Sequence, residues 1–335
     1  MNLQFAICFL QFANLNKGRH DMRRTAILAG VVAIGGLSIG AAAFTQQKPR
    51  PAVREIQKVR DNLYFISGGD TFDRSTWTGG NVAVLVADSG VVLVDTMLAE
   101  NGRGILDRVR SVTEKPVTMI INTHTHYDHT GSNTEFSPTV EYVAHENTKA
   151  NLSKAACPPV TNCGSFKGDN ARFLPKRTFK DRLSLLSGKD RIELYYFGRG
   201  HTNGDSWIVF PALRAMHTGD MFPRKIMPNV DSANNGGDAA EFTDTLKKAA
   251  STIKNVDTVI GGHTPTVVTW NDFKEYTDFY DDFVTTVRNG LKAGRTADEI
   301  AKVYQVPAKY RDYRADPDRV KANAQSIQGA ATRTR

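Results

Sequence analysis

Three of the eight histidines in this chain fall within six residues, His124-Thr125-His126-Tyr127-Asp128-His129, directly after the β-rich run 117–122. A buried strand that stops at Asn122 forces the following residues into a turn at the sheet edge, and such a turn aims several side chains at one point. Imidazoles and a carboxylate placed together are the donors that borderline metal ions such as zinc prefer. A solvated surface loop has no need of that concentration. The fold must therefore bring other donors to this strand end.

Three later positions supply candidates, each after an apolar strand and each beside glycine: Gly200-His201-Thr202, Thr218-Gly219-Asp220 and Gly261-Gly262-His263. Glycine lets the backbone turn sharply and approach a neighbour closely. A lone histidine after a strand is more often a packed side chain, but with the 124–129 cluster these three complete a donor set for two metal ions. His145 and His217 fall outside that set and read as structural or surface residues. Tyr127 and Trp207 read as packing residues, and Asp205 as a neighbour of His201.

Short apolar runs at 63–67, 81–86, 91–95, 117–122, 140–144, 191–197, 207–210, 215–219 and 258–261 predict strands. Helical spacing marks 101–112, 146–155, 239–253, 272–290 and 296–304, with Thr296 as an N-cap. The polar, Gly-rich stretch 68–80 predicts a loop overhanging the site. Sheets covered by helices on their outer faces are the natural way to bury such strands. Beyond Pro307 charge rises and apolar residues thin out, so that end is expected to be peripheral or frayed.

In this pattern the chain resembles the metallo-β-lactamase superfamily, whose hallmark is His-x-His-x-Asp-His followed by a distant His, an Asp and a last His. The resemblance spans residues 63–270 and implies an α/β fold, the four-layer αβ/βα sandwich, here with a C-terminal helical extension. It also implies that His124, His126 and His201 hold one zinc ion, that Asp128, His129 and His263 hold a second, and that Asp220 bridges them. Asp95, which closes the strand Val91-Val92-Leu93-Val94, matches an aspartate the family carries beside its site, supporting the ligands rather than binding metal. The implied reaction is hydrolysis by water activated between the two ions, with Asp128 orienting it and passing its proton on. Iron or manganese would be accepted by the same donors.

Within that family, Asp at 220 is the residue of glyoxalase II-like thioester hydrolases, lactonases and phosphodiesterases, where true β-lactamases carry Cys or Ser. His126 in place of Glu separates the chain from the di-iron flavoproteins. Only 42 residues lie between Asp220 and His263, too few for the domain that nucleic-acid-processing members insert there. The expected activity is cleavage of a carbonyl ester-like bond in a small molecule: a lactone, a thioester or a β-lactam. A phosphodiesterase, or a metal-binding periplasmic protein without turnover, is the alternative.

Arg23-Arg24, the Gly/Ala-rich apolar run 26–43 and the polar Thr45-Gln46-Gln47-Lys48-Pro49 have the order of a secretory signal, with Met22 as a natural start. Residues 1–43 are thus expected to be a removed leader or else an uncleaved anchor, 44–61 a linker, 62–269 the catalytic domain and 270–335 the extension. The destination is periplasmic or secreted, with no stable membrane span after processing. Without the leader the formal charge falls from +8 to +5, with no block of like charge and no basic stripe interleaved with aromatics, so no nucleic-acid partner is expected. Cys157 and Cys163 sit six positions apart in a Pro-containing loop. In an oxidising compartment they are placed either to bridge or to remain free.

Overall fold

In β2 (Leu63–Ile66) and β3 (Val82–Ala87), the side chains of Leu63, Phe65, Ala83 and Leu85 turn to one face while Ile66, Val82 and Val84 turn to the other. This is the period-two pattern of strands covered on both sides. In the computed structural model, which describes residues 50–333, these strands belong to a seven-stranded sheet in sequential order. Its other members are β1 (Ile56–Arg60), β4 (Gly90–Val94), β5 (Val117–Ile121), β6 (Glu141–His145) and β7 (Arg177–Phe179). Pairing is antiparallel from β1 to β4 and parallel from β4 to β7. The leader read at 1–43 lies outside the described residues.

A second, six-stranded sheet has the order β13 (Val268–Thr269), β12 (Thr258–Ile260), β11 (Ala215–His217), β10 (Trp207–Phe210), β9 (Ile192–Tyr195), β8 (Arg182–Leu185). The two sheets bury a shared core, with Leu63, Phe65, Val92 and Ile121 on one side and Leu194, Ile208, Phe210 and Ile260 on the other. On the outer face of the first sheet, α1 (Gly102–Arg110) lays Ile105 and Val109 against Val84 and Leu93. The one-turn α2 (Tyr127–Thr130) follows β5, and α3 (Glu146–Leu152) follows β6. On the outer face of the second sheet, α4 (Ala239–Thr252) and α5 (Trp270–Lys292) cover Trp207, Met216 and Val259 with Phe242, Leu246, Phe273 and Tyr280. Helix, sheet, sheet, helix is the expected four-layer sandwich. Thr296 caps α6 (Ala297–Val303) in a reciprocal pair with Glu299, as its position predicts.

Two expectations are corrected. The stretch read as a linker contains β1, which pairs with β2, and Val53 is buried ahead of it. Its residues Gln57, Lys58 and Arg60 are exposed, the polar dress of an edge strand, and so hide it in the sequence. The end beyond Pro307 is not peripheral. There α7 (Pro317–Arg333) and the turn before it bury Tyr310, Tyr313, Val320, Ala324 and Ile327 in the same core as α5. Val320, Ala324 and Ile327 form a narrow stripe at helical spacing, which an otherwise charged composition masks.

Ile327 is 2% exposed, so Ile327→Ala is expected to lower stability to urea by about 2–4 kcal/mol. An unchanged unfolding midpoint would return this helix to the periphery.

Candidate metal centre

Every candidate donor follows a strand at the same edge of the sandwich. His124 follows β5, His126, Asp128 and His129 lie at the start of α2 and within it, His201 follows β9, Asp220 follows β11 and His263 follows β12. Donor atoms of His124, His126 and His201 lie within 4.8 Å of one another, as do those of His124, His129 and Asp220, and those of Asp128, His129 and His263. The structure thus brings all seven candidates into one cluster of three overlapping groups, with Asp220 in the middle one. One Asp220 oxygen is 3.3 Å from Nε2 of both His129 and His263, and the other is 3.6 Å from His201 Nε2. A Cβ on Gly262 would stand 1.9 Å from that first oxygen, so glycine is required there. Gly219 takes φ +51°, which sets the turn that presents Asp220.

Hydrogen bonds behind the donors settle which nitrogen faces inward. Asp95, fully buried, accepts from the Thr123 backbone N–H at 2.8 Å, from Thr123 Oγ1 at 2.7 Å and from His129 Nδ1 at 2.7 Å. With its only hydroxyl proton given to Asp95, Thr123 Oγ1 must accept from His124 Nδ1, 2.9 Å away. His126 donates through Nε2 to Asp231 at 3.0 Å, and His201 through Nδ1 to the Asn229 carbonyl. At His124, His126 and His201 the outer nitrogen then carries the proton, and the inner nitrogen is a bare lone pair. His126 Nδ1 and His201 Nε2 face each other at 2.9 Å. Two lone pairs at that distance repel unless a cation lies between them. His124 Nε2 and Asp220 Oδ1 are buried without any hydrogen-bond partner, although buried polar atoms are rarely left so. These residues fit a metal ion.

Burial and neighbouring charges favour the neutral form at His124 and His201 and the ionised form at Asp220, but the protonated form at His129. Burial, and then the neighbouring imidazoles of His129, His201 and His126, push His124 well below the usual histidine range. Burial and His126 also lower His201. At His129 burial acts in the same direction, but the carboxylates of Asp220, Asp128 and Asp95 outweigh it and raise the imidazole. Asp220 is itself held well below the usual carboxylate range: burial opposes the shift, and His263 and His129 overcome it. Ligation requires neutral imidazoles and ionised carboxylates, so His124, His201 and Asp220 already hold the required states, while a metal ion would have to displace the proton that the carboxylates favour at His129.

The donors floor a cavity of about 290 Å³ whose wall includes Thr71, Arg74 and Trp77, so the 68–80 loop overhangs the site as expected. Tyr127, read as a packing residue, is half-buried and lines this wall instead. Trp207 is fully buried in the core. His145 is structural: it accepts from the Asn147 N–H at the start of α3, donates to the Lys180 carbonyl and stacks on Tyr196. His217, buried and lowered to about 4 by that burial, accepts from the Gly219 N–H and donates to the Asn81 carbonyl. Asp205 accepts from the N–H and hydroxyl of Thr202 and so fixes the turn after His201.

Sequence reasoning misses Asp231, Asn235 and the contact that the cysteine loop makes with the site, although it leaves the disulfide open. Cys157 and Cys163 form a disulfide with Cα atoms 5.5 Å apart. Within that loop Val160 O accepts from the Tyr127 N–H, and Thr161 donates to Asn235, which donates to Asp231. Hydrogen bonds of this kind behind a ligand are worth about 10–100-fold in metal affinity. Asp231→Ala is accordingly expected to weaken metal binding by about that factor, measured by chelator competition, with little change in far-UV circular dichroism. Undiminished affinity would show that His126 is oriented by other means.

With this geometry in hand, comparison with known proteins is specific. Residues 75–268 match the family model of the metallo-beta-lactamase superfamily. A type 2 metallo-beta-lactamase from Elizabethkingia meningoseptica is 28% identical over 229 residues, 67% of this chain and 83% of the relative. The alpha subunit of the 2,4-dinitroanisole O-demethylase from a Nocardioides strain is 28% identical over 137 residues, 40% of this chain and 38% of that protein. Among solved structures, a metallo-beta-lactamase from Pontibacter korlensis superposes with TM-score 0.55 at 18% identity, covering 68% of this chain and 99% of its own. A stereoselective inverting sec-alkylsulfatase from a Pseudomonas species superposes with TM-score 0.61 at 17% identity, covering 82% of this chain and 49% of its own. At those identities the structural likeness establishes the fold, while the family match spans more than half of the sequence. The chain belongs to the metallo-beta-lactamase superfamily of metal-dependent hydrolases.

Proposed function

We propose that the protein is an exported hydrolase that uses two divalent metal ions, zinc being the pair best suited to this donor set, to cleave a carbonyl ester-like bond in a small molecule. The observation that carries this reading is the convergence of seven donors, with the inner nitrogens of His124, His126 and His201 freed of protons by the hydrogen bonds behind them. His124, His126 and His201 would hold one ion, Asp128, His129 and His263 the other, and Asp220 would lie between them. When bound, such ions polarise a carbonyl oxygen and bring the pKa of water down to about 7.

The chain's own residues supply the rest. Asp128, 13% exposed and facing the cavity, is the donor carboxylate best placed to orient a water molecule and take its proton. Asp95, with no solvent exposure, acts through His129 and Thr123 and touches no substrate. Trp77 and Tyr127 line and narrow the cavity. Asp at 220 favours lactone or thioester substrates over β-lactams, although the Elizabethkingia relative is named a β-lactamase. The disulfide supports export, since such bonds persist in oxidising compartments. Among the described residues no helix is long and apolar enough to cross a membrane.

The test is hydrolysis of a lactone, a thioester, a cephalosporin and a nitrophenyl phosphodiester by protein of known metal content, with and without chelator. The expected result is chelator-sensitive turnover of the lactone or thioester, with His126→Ala losing the first metal and nearly all activity. Turnover of the phosphodiester alone would move the assignment to a phosphodiesterase. No turnover by protein holding two ions would favour a metal-binding role.

A further inference from the structure

We propose that Arg319, together with Arg74, forms a subsite for a carboxylate that the substrate carries away from the bond to be cut. The inference rests on the hydrolase reading and narrows its substrate class to an anionic ester, thioester or lactone. Three guanidinium groups line the metal-site cavity: Arg74, Arg224 and Arg319. Arg224 is already neutralised, because it donates to Asp70 at 2.9 Å and to Thr71 Oγ1 at 3.1 Å. Arg74 lies over the Trp77 ring, 4.5 Å from its centroid. Among the described residues the Arg319 guanidinium donates only to the Met227 carbonyl, at 3.2 Å. Among the described residues neither Arg74 nor Arg319 has an ion-pair partner, and a guanidinium has five N–H donors to offer.

The acids that face the same cavity are Asp128 and Asp220, both committed to the metal site. Cations bound there would take up their charge, leaving the two arginines as uncompensated positive charge in a confined space. Such a field selects an oxyanion, and guanidinium matches the planar, two-oxygen geometry of a carboxylate.

Arg319 is also held in place rather than waving in solvent. Arg314 exchanges backbone hydrogen bonds with Lys225 and Met227, and Asn323 donates to the Pro228 carbonyl. The N-terminal turns of α7 are thereby fastened to the segment that leads from Asp220 to Asn229, whose carbonyl orients His201. A side chain from the C-terminal helix thus becomes a fixed part of the wall of the cavity that the donors floor.

The experiment compares 4-nitrophenyl acetate with the mono-4-nitrophenyl ester of succinate, using the metal-loaded full chain as wild type, R319Q and R319K. The expected result is a kcat/KM preference for the succinate ester that shrinks by about tenfold in R319Q, through KM, and is partly restored in R319K. Calorimetric titration of succinate into the same proteins reads the subsite without turnover, and R319Q is expected to weaken binding by about tenfold. Equal losses on both esters, or equal succinate affinity in wild type and R319Q, overturn the inference. Arg319-dependent binding of sulfate or phosphate in the absence of succinate binding overturns the carboxylate assignment. The calorimetric arm remains readable if neither ester is hydrolysed, so failure of the hydrolase reading and failure of this one are told apart.

Discussion

The buried carboxylate of Asp95 is the constraint on which the rest of the site depends. It sits at the end of β4 with φ +65°, a left-handed conformation that costs a non-glycine residue about 1 kcal/mol or more. The backbone holds it there by an N–H bond to the Ile121 carbonyl, and the turn lets its side chain reach both Thr123 and His129. From that one carboxylate the orientation of two imidazoles follows, one directly and one through a hydroxyl. Without it each ring has two tautomers and a free rotation, and the inner lone pairs are no longer fixed toward a common point.

The second half of the sandwich repeats the device with different parts. Asp231 and the Asn229 carbonyl do for His126 and His201 what Asp95 does for His124 and His129. The loop that carries them is tied on one side to the disulfide loop, through Asn235 and Thr161, and on the other to the C-terminal segment, through Pro228 and Asn323. The two outermost pieces of the fold therefore reach the donors through short chains of hydrogen bonds. A long α5 packed on the outer sheet gives that C-terminal segment a rigid surface to rest on.

The readable part of this molecule was the part whose chemistry is local. A strand that ends in His124-Thr125-His126-Tyr127-Asp128-His129, and glycines beside His201, Asp220 and His263, announce both the site and the family because each signal fits within a few residues. The centres of most strands and helices were equally legible from periodicity, with ends displaced by up to three residues, as where α3 stops at Leu152. Asp231 was not legible: it lies 105 positions from His126 and no spacing rule links them. Edge strand β1 and the short β7 and β8 were hidden by polar, solvent-facing residues. The α7 stripe was hidden by its narrowness, and Tyr127 was misread because a residue inside a motif can face either core or cavity.

The most direct test of the central claim is an anomalous difference map, at the zinc edge, from crystals grown with zinc. The account predicts two peaks flanking the Asp220 carboxylate, one of them about 2.0–2.1 Å from His124 Nε2, His126 Nδ1 and His201 Nε2. A single peak outside this cluster, or His126 bound through Nε2 with Asp231 displaced, would contradict it.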